Sequence, residues 1–214
     1  ITHRIKDGND VMLIAMAVDA LRRIGLDKLT LFIPYVPYAR QDRVANPGEC
    51  FSLKVFAGII NSLGFEKVYG LDVHSDVTPA LIDNFVNLKP YSFINNAISM
   101  LPAGVVLVSP DAGANKKTQE FRDKFASIKE MRIVYCNKSR DTKTGQLSNF
   151  QVFNYFPPHL HCLIIDDICD GGRTFIEIAK ELRVKGAGAV HLYTTHGIYS
   201  QGVAPLLEYI DKVF

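Results

Sequence analysis

The sequence predicts an α/β fold in which mostly parallel strands are flanked by helices. Three observations lead to this prediction. Helical and strand-like patterns alternate along the whole chain, several strand-like runs are continuously apolar, and polar or glycine-rich clusters follow the strand-like runs. Alternation of this kind is typical of parallel sheets whose strands are covered on both faces. We therefore expect a ligand site beyond the carboxyl ends of the strands, where the polar clusters meet.

The elements of the first half follow in order. Residues 10–24 have helical spacing with two arginines near the end, and Gly25 stops this helix. Residues 29–34 form a continuous apolar run that indicates a buried strand, and the loop PYVPYARQDR follows it. Residues 51–63 are predicted as the next helix. Residues 67–71 are predicted as the next strand, which ends in DVHSD.

The second half repeats the alternation. The predicted strands are residues 105–109, 132–136, 163–165 and 189–193, and the predicted helices run to about residue 125 and over residues 175–185. The polar stretch NKSRDTKTGQLSN follows the second of these strands and is long enough for a mobile active-site loop. The last residues, 209–214, resemble the approach to another strand.

Composition excludes several functional classes. With 214 residues, 48% of them hydrophobic, the chain can bury one large core or two modest ones. A net charge of +2 gives no overall basic field, so we expect no nucleic-acid partner. No apolar run is long enough to span a bilayer, and no membrane partner is expected. The four cysteines have no paired ligand spacing, which favours a reduced, cytoplasmic setting.

The run LIIDDICDGGRTF, residues 163–175, carries the clearest chemical signal. Asp166 and Asp167 follow an apolar strand. Two adjacent carboxylates repel each other unless a nearby cation or hydrogen-bond donor stabilises their negative charge. The two glycines that follow let the backbone approach a phosphate, and Thr174 can cap the next helix. The alternative is a simple strand stop followed by an ordinary helix cap. The pattern favours a site for a phosphorylated ribose.

This run resembles the phosphoribosyl pyrophosphate motif shared by type I phosphoribosyltransferases and ribose-phosphate pyrophosphokinases. The runs IPYVPYARQDR, VYGLDVHSD, VVLVSPDAGANKK and YTTHGIYSQG, in this order, resemble the pyrophosphokinases over essentially the whole chain. The resemblance implies two type I phosphoribosyltransferase-like domains, residues 1–93 on the nucleotide side and 94–214 on the ribose 5-phosphate side. It also implies transfer of the β,γ-diphosphate of ATP to the 1-hydroxyl of ribose 5-phosphate, which gives phosphoribosyl pyrophosphate and AMP.

The resemblance also assigns roles on the nucleotide side. It places Arg40 and Gln41 against the adenine nucleotide, together with His74 beside the ATP phosphates. His74 and Asp111 would be metal ligands for Mg2+, which prefers hard oxygen donors. The residues alone leave two alternatives open. The ARQDR run could be a surface loop in which Arg40, or Arg43 in the same role, contacts Asp42. A lone histidine at a strand end is more often structural.

The remaining roles concern catalysis and the acceptor. Lys138 matches the catalytic lysine of the family, and Arg140 matches the neighbouring phosphate-binding arginine, although KSRDTK alone would indicate a solvated turn. The expected ribose 5-phosphate residues are Arg140, Asp166, Asp170, Gly171, Gly172, Arg173 and Thr174. For Lys116 and Lys117, which open the helix after SPDAG, a place on the helix surface is as good a hypothesis as a phosphate contact.

Three departures from the family pattern matter. Arg173 replaces a small residue in the phosphate loop, and Asn87 stands where a carboxylate is expected, which puts nucleotide geometry there in doubt. The segments that precede and follow this stretch in the family are absent from the sequence. We expect truncation at both ends, so that this chain alone could be inactive.

The resemblance further implies a cytoplasmic homo-oligomer built from dimers. Two alternatives to the synthetase are a catalytically silent, synthetase-associated regulatory subunit and a type I phosphoribosyltransferase. Retention of His74, Asp111, Lys138 and Arg140 argues against the first, and the ARQDR run argues against the second.

Overall fold

The computed structural model describes residues 1–125, 131–140, 147–153 and 157–214, with the backbone alone at 138–140 and 147–153. Contacts divide the chain into two compact units, Ile1–Pro90 and Tyr91–Phe214. The predicted domain boundary, between residues 93 and 94, falls three residues into the second unit. In the described part of the chain, no helix is long and apolar enough to cross a membrane.

The first unit is built on a parallel sheet with the order β1-β2-β3 in its described residues. Its elements are α1 (Gly8–Arg23), β1 (Thr30–Ile33), α2 (Ser52–Ser62), β2 (Lys67–Leu71), α3 (Val77–Leu81) and β3 (Phe85–Leu88). Apolar side chains of α1 and α2 pack against the strands to form one core, which includes Ile14, Leu31, Phe56 and Ile60. Because the strands are parallel, the loops after β1 and β2 leave the same edge of the sheet.

The second unit is built on a larger sheet, whose described strands have the order β6-β5-β4-β7-β8-β9. Its elements are α4 (Tyr91–Ser99), β4 (Val106–Ser109), α5 (Asn115–Phe125), β5 (Ile133–Arg140), β6 (Leu147–Phe153), β7 (His161–Cys169), α6 (Arg173–Val184), β8 (Ala189–Gly197), α7 (Ala204–Leu207) and β9 (Lys212–Val213). The pairs are parallel except β5 with β6, which is antiparallel.

Strand β7 shows why the central strands are apolar throughout. Cys162 and Ile164 pack with α6 on one face of the sheet, whereas Leu163 and Ile165 pack with α4 and α5 on the other. Side chains of a strand alternate between its faces, so a strand covered on both faces must be apolar at every position. The predicted α/β class with mostly parallel, helix-flanked strands is confirmed.

Two details of the sequence prediction were wrong. The stretch that begins at Asn137 was expected as a loop, yet β5 continues to Arg140 and pairs antiparallel with β6, with an irregularity between Lys138 and Ser139. Strand β7 was expected to end at residue 165, yet it runs to Cys169. Pairing with neighbouring strands holds these polar segments extended, and that tertiary effect overrides their polarity.

Candidate functional site

The loop between β7 and α6 has the geometry of an anion-binding turn. Gly172 is the N-cap of α6 and has φ of 76°, a left-handed conformation that glycine adopts at little cost. A Cβ at this position would lie 2.8 Å from Cδ2 of Leu206. The loop therefore requires glycine at residue 172 for two reasons, its backbone conformation and the close approach of Leu206.

The start of α6 leaves backbone amides available. The Phe175 and Ile176 amides donate to the Gly172 carbonyl at 3.0 and 3.1 Å, so the amides of Arg173 and Thr174 precede the first such bond. The expectation that Thr174 caps the helix is wrong: in the described residues, no side chain makes a capping hydrogen bond at Gly172. Thr174 is half-buried in the first turn. The amides and the helix dipole together favour a bound anion here.

Two carboxylates lie in the strand that feeds this loop. Asp167 is buried, and its amide donates to Oδ1 of Asp166 at 2.9 Å. Burial raises the pKa of Asp166 well above its ordinary value, and the negative charge of Asp167 adds to the shift. Lys117 on α5 forms an ion pair with Asp167, with Nζ of the lysine 3.8 Å from Oδ1 of the aspartate. This ammonium group is the cation that the carboxylate pair was expected to need, and the sequence had left its role open.

The SPDAG turn after β4 adds a third carboxylate. The Ser109 hydroxyl donates to Oδ1 of Asn115 at 2.7 Å, and the Ala114 amide donates to Oδ1 of Asp111 at 3.2 Å. These bonds fix Asp111 at the start of α5, where its charge also raises the pKa of Asp166. The second unit thus brings the predicted Asp111 and Asp166 within electrostatic reach of each other. Asp170 and residues 171–174 follow directly from β7.

The segment after β8 braces the loop between β7 and α6, and sequence analysis assigned no role to its residues. The amides of Ile198 and Tyr199 both donate to the Cys169 carbonyl, at 2.8 and 3.1 Å. The Tyr199 hydroxyl lies 3.1 Å from the hydroxyl of Thr194, and the Tyr199 ring lies where a Cβ of Gly197 would stand. The strand end that precedes Asp170 is therefore held from the β8 side.

In the first unit, the ARQDR loop is folded back onto α2. Tyr38 has φ of 63°, and its carbonyl accepts the Gln41 amide at 2.9 Å. The Ser52 hydroxyl at the start of α2 donates to Oε1 of Gln41 at 2.6 Å. Arg40 and Gln41 are both exposed, and the bond from Ser52 engages the Gln41 carbonyl oxygen. This arrangement suits recognition of a ligand by a planar fork and an amide.

Asp42 is a buried charged residue of this loop, and sequence reasoning gave it no site role. Nε of Arg43 donates to Oδ1 of Asp42 at 2.8 Å and holds the pKa of Asp42 below its ordinary value. The charge of His74 acts in the same direction, so the ARQDR loop and the DVHSD turn lie close together. Of the two arginines that the sequence offered for a contact with Asp42, Arg43 forms an ion pair with it.

His74 is exposed in the turn that follows β2. Asn87 lies half-buried in β3, and its Oδ1 accepts the amide of Val73 at 3.2 Å. The departure at residue 87 thus has a local structural role. The first unit brings together Arg40, Gln41 and His74, because they lie in the loops after two adjacent parallel strands.

Two predicted residues cannot be placed fully. The backbone of Lys138 and Arg140 lies in β5, and their side chains are outside the described residues.

The predicted metal ligands His74 and Asp111 belong to different units. Among the side chains that the structure describes, no group of three or more His, Cys, Asp or Glu residues is placed to hold a metal ion.

Comparisons with known proteins agree on one family. Residues 2–64 match the model of the N-terminal domain of ribose phosphate pyrophosphokinase. The ribose-phosphate pyrophosphokinase of Cereibacter sphaeroides is 30% identical over 209 residues, which cover 95% of this chain and 60% of that protein. The enzyme of the same name from Granulibacter bethesdensis is 31% identical over 197 residues, with coverage of 91% and 62%. The chain spans about three fifths of the length of these relatives.

A solved structure agrees on the fold. The phosphoribosylpyrophosphate synthetase of Mycobacterium smegmatis superposes with a TM-score of 0.79 at 24% identity, over 96% of this chain and 65% of that one. Similarity at this level of identity supports the arrangement of helices and strands, and the chemistry has to be argued from the residues themselves.

Proposed function

Since this chain belongs to the ribose-phosphate pyrophosphokinase family, we propose that it serves the transfer of the β,γ-diphosphate of ATP to the 1-hydroxyl of ribose 5-phosphate. The products are phosphoribosyl pyrophosphate and AMP. The observation that carries this proposal is the glycine turn at Gly172, which leads from a carboxylate-bearing strand into the N-terminus of α6. Such a turn suits a ligand with both hydroxyl groups and a phosphate.

On the acceptor side, the carboxylates of Asp166 and Asp170 accept hydrogen bonds from the ribose hydroxyls. The 5-phosphate binds the backbone amides of residues 171–174, with the Thr174 hydroxyl as a further donor. Arg173 is exposed at the first position of α6, and it adds positive charge at the phosphate end. This half of the reaction uses residues of the second unit, which we assign to ribose 5-phosphate.

On the donor side, Arg40 and Gln41 bind the adenine nucleotide and His74 lies beside its phosphates. The Gln41 carbonyl is already bonded to Ser52, so its amide nitrogen is the group oriented for a base edge. We assign the first unit to the nucleotide on these grounds. The catalytic side chains are Lys138, which counters charge on the transferring group, and Arg140, which binds phosphate.

The donor set fits a divalent metal, which we propose to be Mg2+. Asp111 offers a carboxylate close to Asp166, whose raised pKa reflects burial and neighbouring negative charge that a cation would offset. His74 in the first unit and Asp111 in the second are each proposed as a metal ligand of their own unit. Bound Mg2+ would neutralise charge on the phosphate oxygens and help orient the diphosphate.

The test is an assay of the full-length protein with ATP and ribose 5-phosphate and no nucleobase. We expect AMP and phosphoribosyl pyrophosphate in equal amounts. A requirement for a base would instead identify a phosphoribosyltransferase, and binding of both substrates without turnover would identify a silent subunit. Either result would contradict the proposal. We further propose a cytoplasmic location and a homo-oligomer built from dimers. Analytical ultracentrifugation of the same sample would check the oligomeric state.

Lys138→Ala separates catalysis from binding in that assay. We expect turnover to fall about 1,000-fold while ribose 5-phosphate affinity stays within about threefold, because a charge that acts in the transition state contributes little to ground-state binding. Calorimetric titration with ribose 5-phosphate gives the affinity. Unchanged turnover would remove the role assigned to Lys138.

A further inference from the structure

The turn that carries His74 is held in an unusual backbone conformation. Asp72, its first residue, is only 2% exposed and has φ of 48°, which is uncommon for a residue other than glycine. Its amide donates to the Leu88 carbonyl of β3 at 2.8 Å. Conformations of this kind persist where the surrounding contacts fix them, and they cluster at functional sites.

The next amide of the turn, that of Val73, donates a hydrogen bond to the side chain of Asn87. β2 pairs with β3 through Leu71 and Leu88, and beyond that pair the strands separate. The Val73 amide then donates to Oδ1 of Asn87 at 3.2 Å. The side chain of Asn87 thus adds one further hydrogen bond beyond the backbone ladder, at the residue directly before His74.

The opposite side of the turn faces the ARQDR loop. Asp42 is buried there, paired with Arg43, and the charges of Asp42 and His74 influence each other. Ser75 also lies close enough to Asp42 to lower the pKa of that carboxyl. His74 is therefore exposed in a turn that hydrogen bonds to β3 hold in place, and the ARQDR loop lies nearby.

We propose that Asn87 is a positioning residue that holds the turn of residues 72–76, and with it His74, in the geometry that MgATP binding requires. This inference rests on the proposed function of the same unit. A carboxamide supplies the acceptor that Val73 needs, and it adds no negative charge beside a polyphosphate. The apparent loss of a family carboxylate at residue 87 thus preserves the hydrogen bond.

The experiment compares three variants of the full-length protein. Asn87→Leu removes the acceptor at nearly equal size, and Asn87→Asp keeps it. Asn61→Leu is the matched control, because Asn61 also bonds backbone groups of the first unit, donating to the Leu81 carbonyl at 2.9 Å and accepting the Asp83 amide at 3.0 Å. Hydrogen exchange of the Val73 amide and calorimetric affinities for MgATP and ribose 5-phosphate are measured for each.

For Asn87→Leu we expect at least tenfold faster exchange at Val73 and about tenfold weaker MgATP binding, with ribose 5-phosphate binding unchanged. Asn87→Asp should restore MgATP affinity to within about threefold, and Asn61→Leu should leave it unchanged. Wild-type MgATP affinity in Asn87→Leu, or an equal loss in Asn61→Leu, would overturn the inference.

Failure of the proposed function gives a different result. Wild-type protein that binds no MgATP would contradict the nucleotide assignment and, with it, the reason proposed for the turn. Exchange at Val73 would still decide whether Asn87 holds the turn, since that measurement needs no ligand. Unchanged exchange in Asn87→Leu would overturn the positioning role whatever the protein binds.

Discussion

The two units hold their ligand loops by different means. In the second unit, the loop from Cys169 to α6 is shaped by backbone conformation, by the left-handed Gly172 and by amides that bond carbonyl groups. In the first unit, side-chain bonds between distant residues add to the backbone bonds of the loops: Gln41 bonds Ser52, eleven residues away, and Asn87 bonds Val73, fourteen residues away. A loop shaped by its backbone can be recognised from adjacent letters, whereas a loop held by side chains depends on partners distant in sequence.

The largest effect is expected at the backbone-shaped loop. Gly172→Ala should lower the free energy of unfolding of the second unit by about 4 kcal/mol, since the left-handed backbone costs about 1–2 kcal/mol and the clash with Leu206 about 1–3 kcal/mol. Hydrogen exchange of core amides in this unit measures the change. Ribose 5-phosphate affinity should fall with it.

Gly202→Ala is the matched control for this substitution. Gly202 has φ of 74°, nearly that of Gly172, and a Cβ there would meet nothing within 4 Å. We expect a loss of about 1 kcal/mol from backbone strain alone. Equal losses in the two variants would show that Leu206 yields, and the phosphate loop would then be less constrained than its geometry indicates.

Acid should distinguish the two units. In the second, burial lowers the pKa of His191 from 6.5 to about 4, and the charge of His161 adds to the shift. Below pH 6.5 the unfolded chain takes up a proton that folded His191 does not accept until about pH 4. Stability should therefore fall across this window, by about 3 kcal/mol at most.

The first unit should respond at lower pH. Arg43 holds the pKa of Asp42 below 3.8, so its contribution is complete above that value and is lost only as the pH falls below it. Hydrogen exchange at pH 7 and pH 4.5, corrected for intrinsic rates, should show weakened protection in the second unit first. His191→Gln, which cannot titrate here, should remove that difference. The raised pKa of Asp166 opposes this loss in both proteins, so equal weakening of the second unit in wild-type protein and in His191→Gln would contradict the assignment to His191.

The same contrast explains what the sequence could predict. The α/β class followed from alternating patterns, and β2 was predicted with its observed ends because an apolar run is bounded there by polar residues. The phosphate loop was predicted because Asp, Gly and Thr lie next to one another. These signals are local, and local signals survive without knowledge of the tertiary structure.

Other features depend on contacts between distant residues. β3 was not predicted, because its four residues form a strand only through pairing with β2. The extension of β7 through two aspartates depends on pairing with β8, since the register with β4 ends at Ile164. The sequence suggested an ion pair for Asp42 but gave no signal of its burial, which is a tertiary effect. Secondary-structure propensity and hydrophobic periodicity carry no information about such contacts between distant residues.

Lys117 provides the smallest expected effect, and it tests how complete the contrast is. Lys117 and Asp167 form a largely buried ion pair between α5 and β7, and the two residues are distant in sequence. Lys117→Met should destabilise the second unit by about 1 kcal/mol, because the distance between the charged atoms is long and the lysine is partly exposed. The substitution should also raise the pKa of Asp166 further, because the charge of Lys117 lowers it. Lys116→Met, at the exposed neighbouring position, should stay within about 0.5 kcal/mol in the same hydrogen-exchange measurement. A loss of about 3 kcal/mol or more in Lys117→Met would mean that this unit depends on side-chain contacts as strongly as the first.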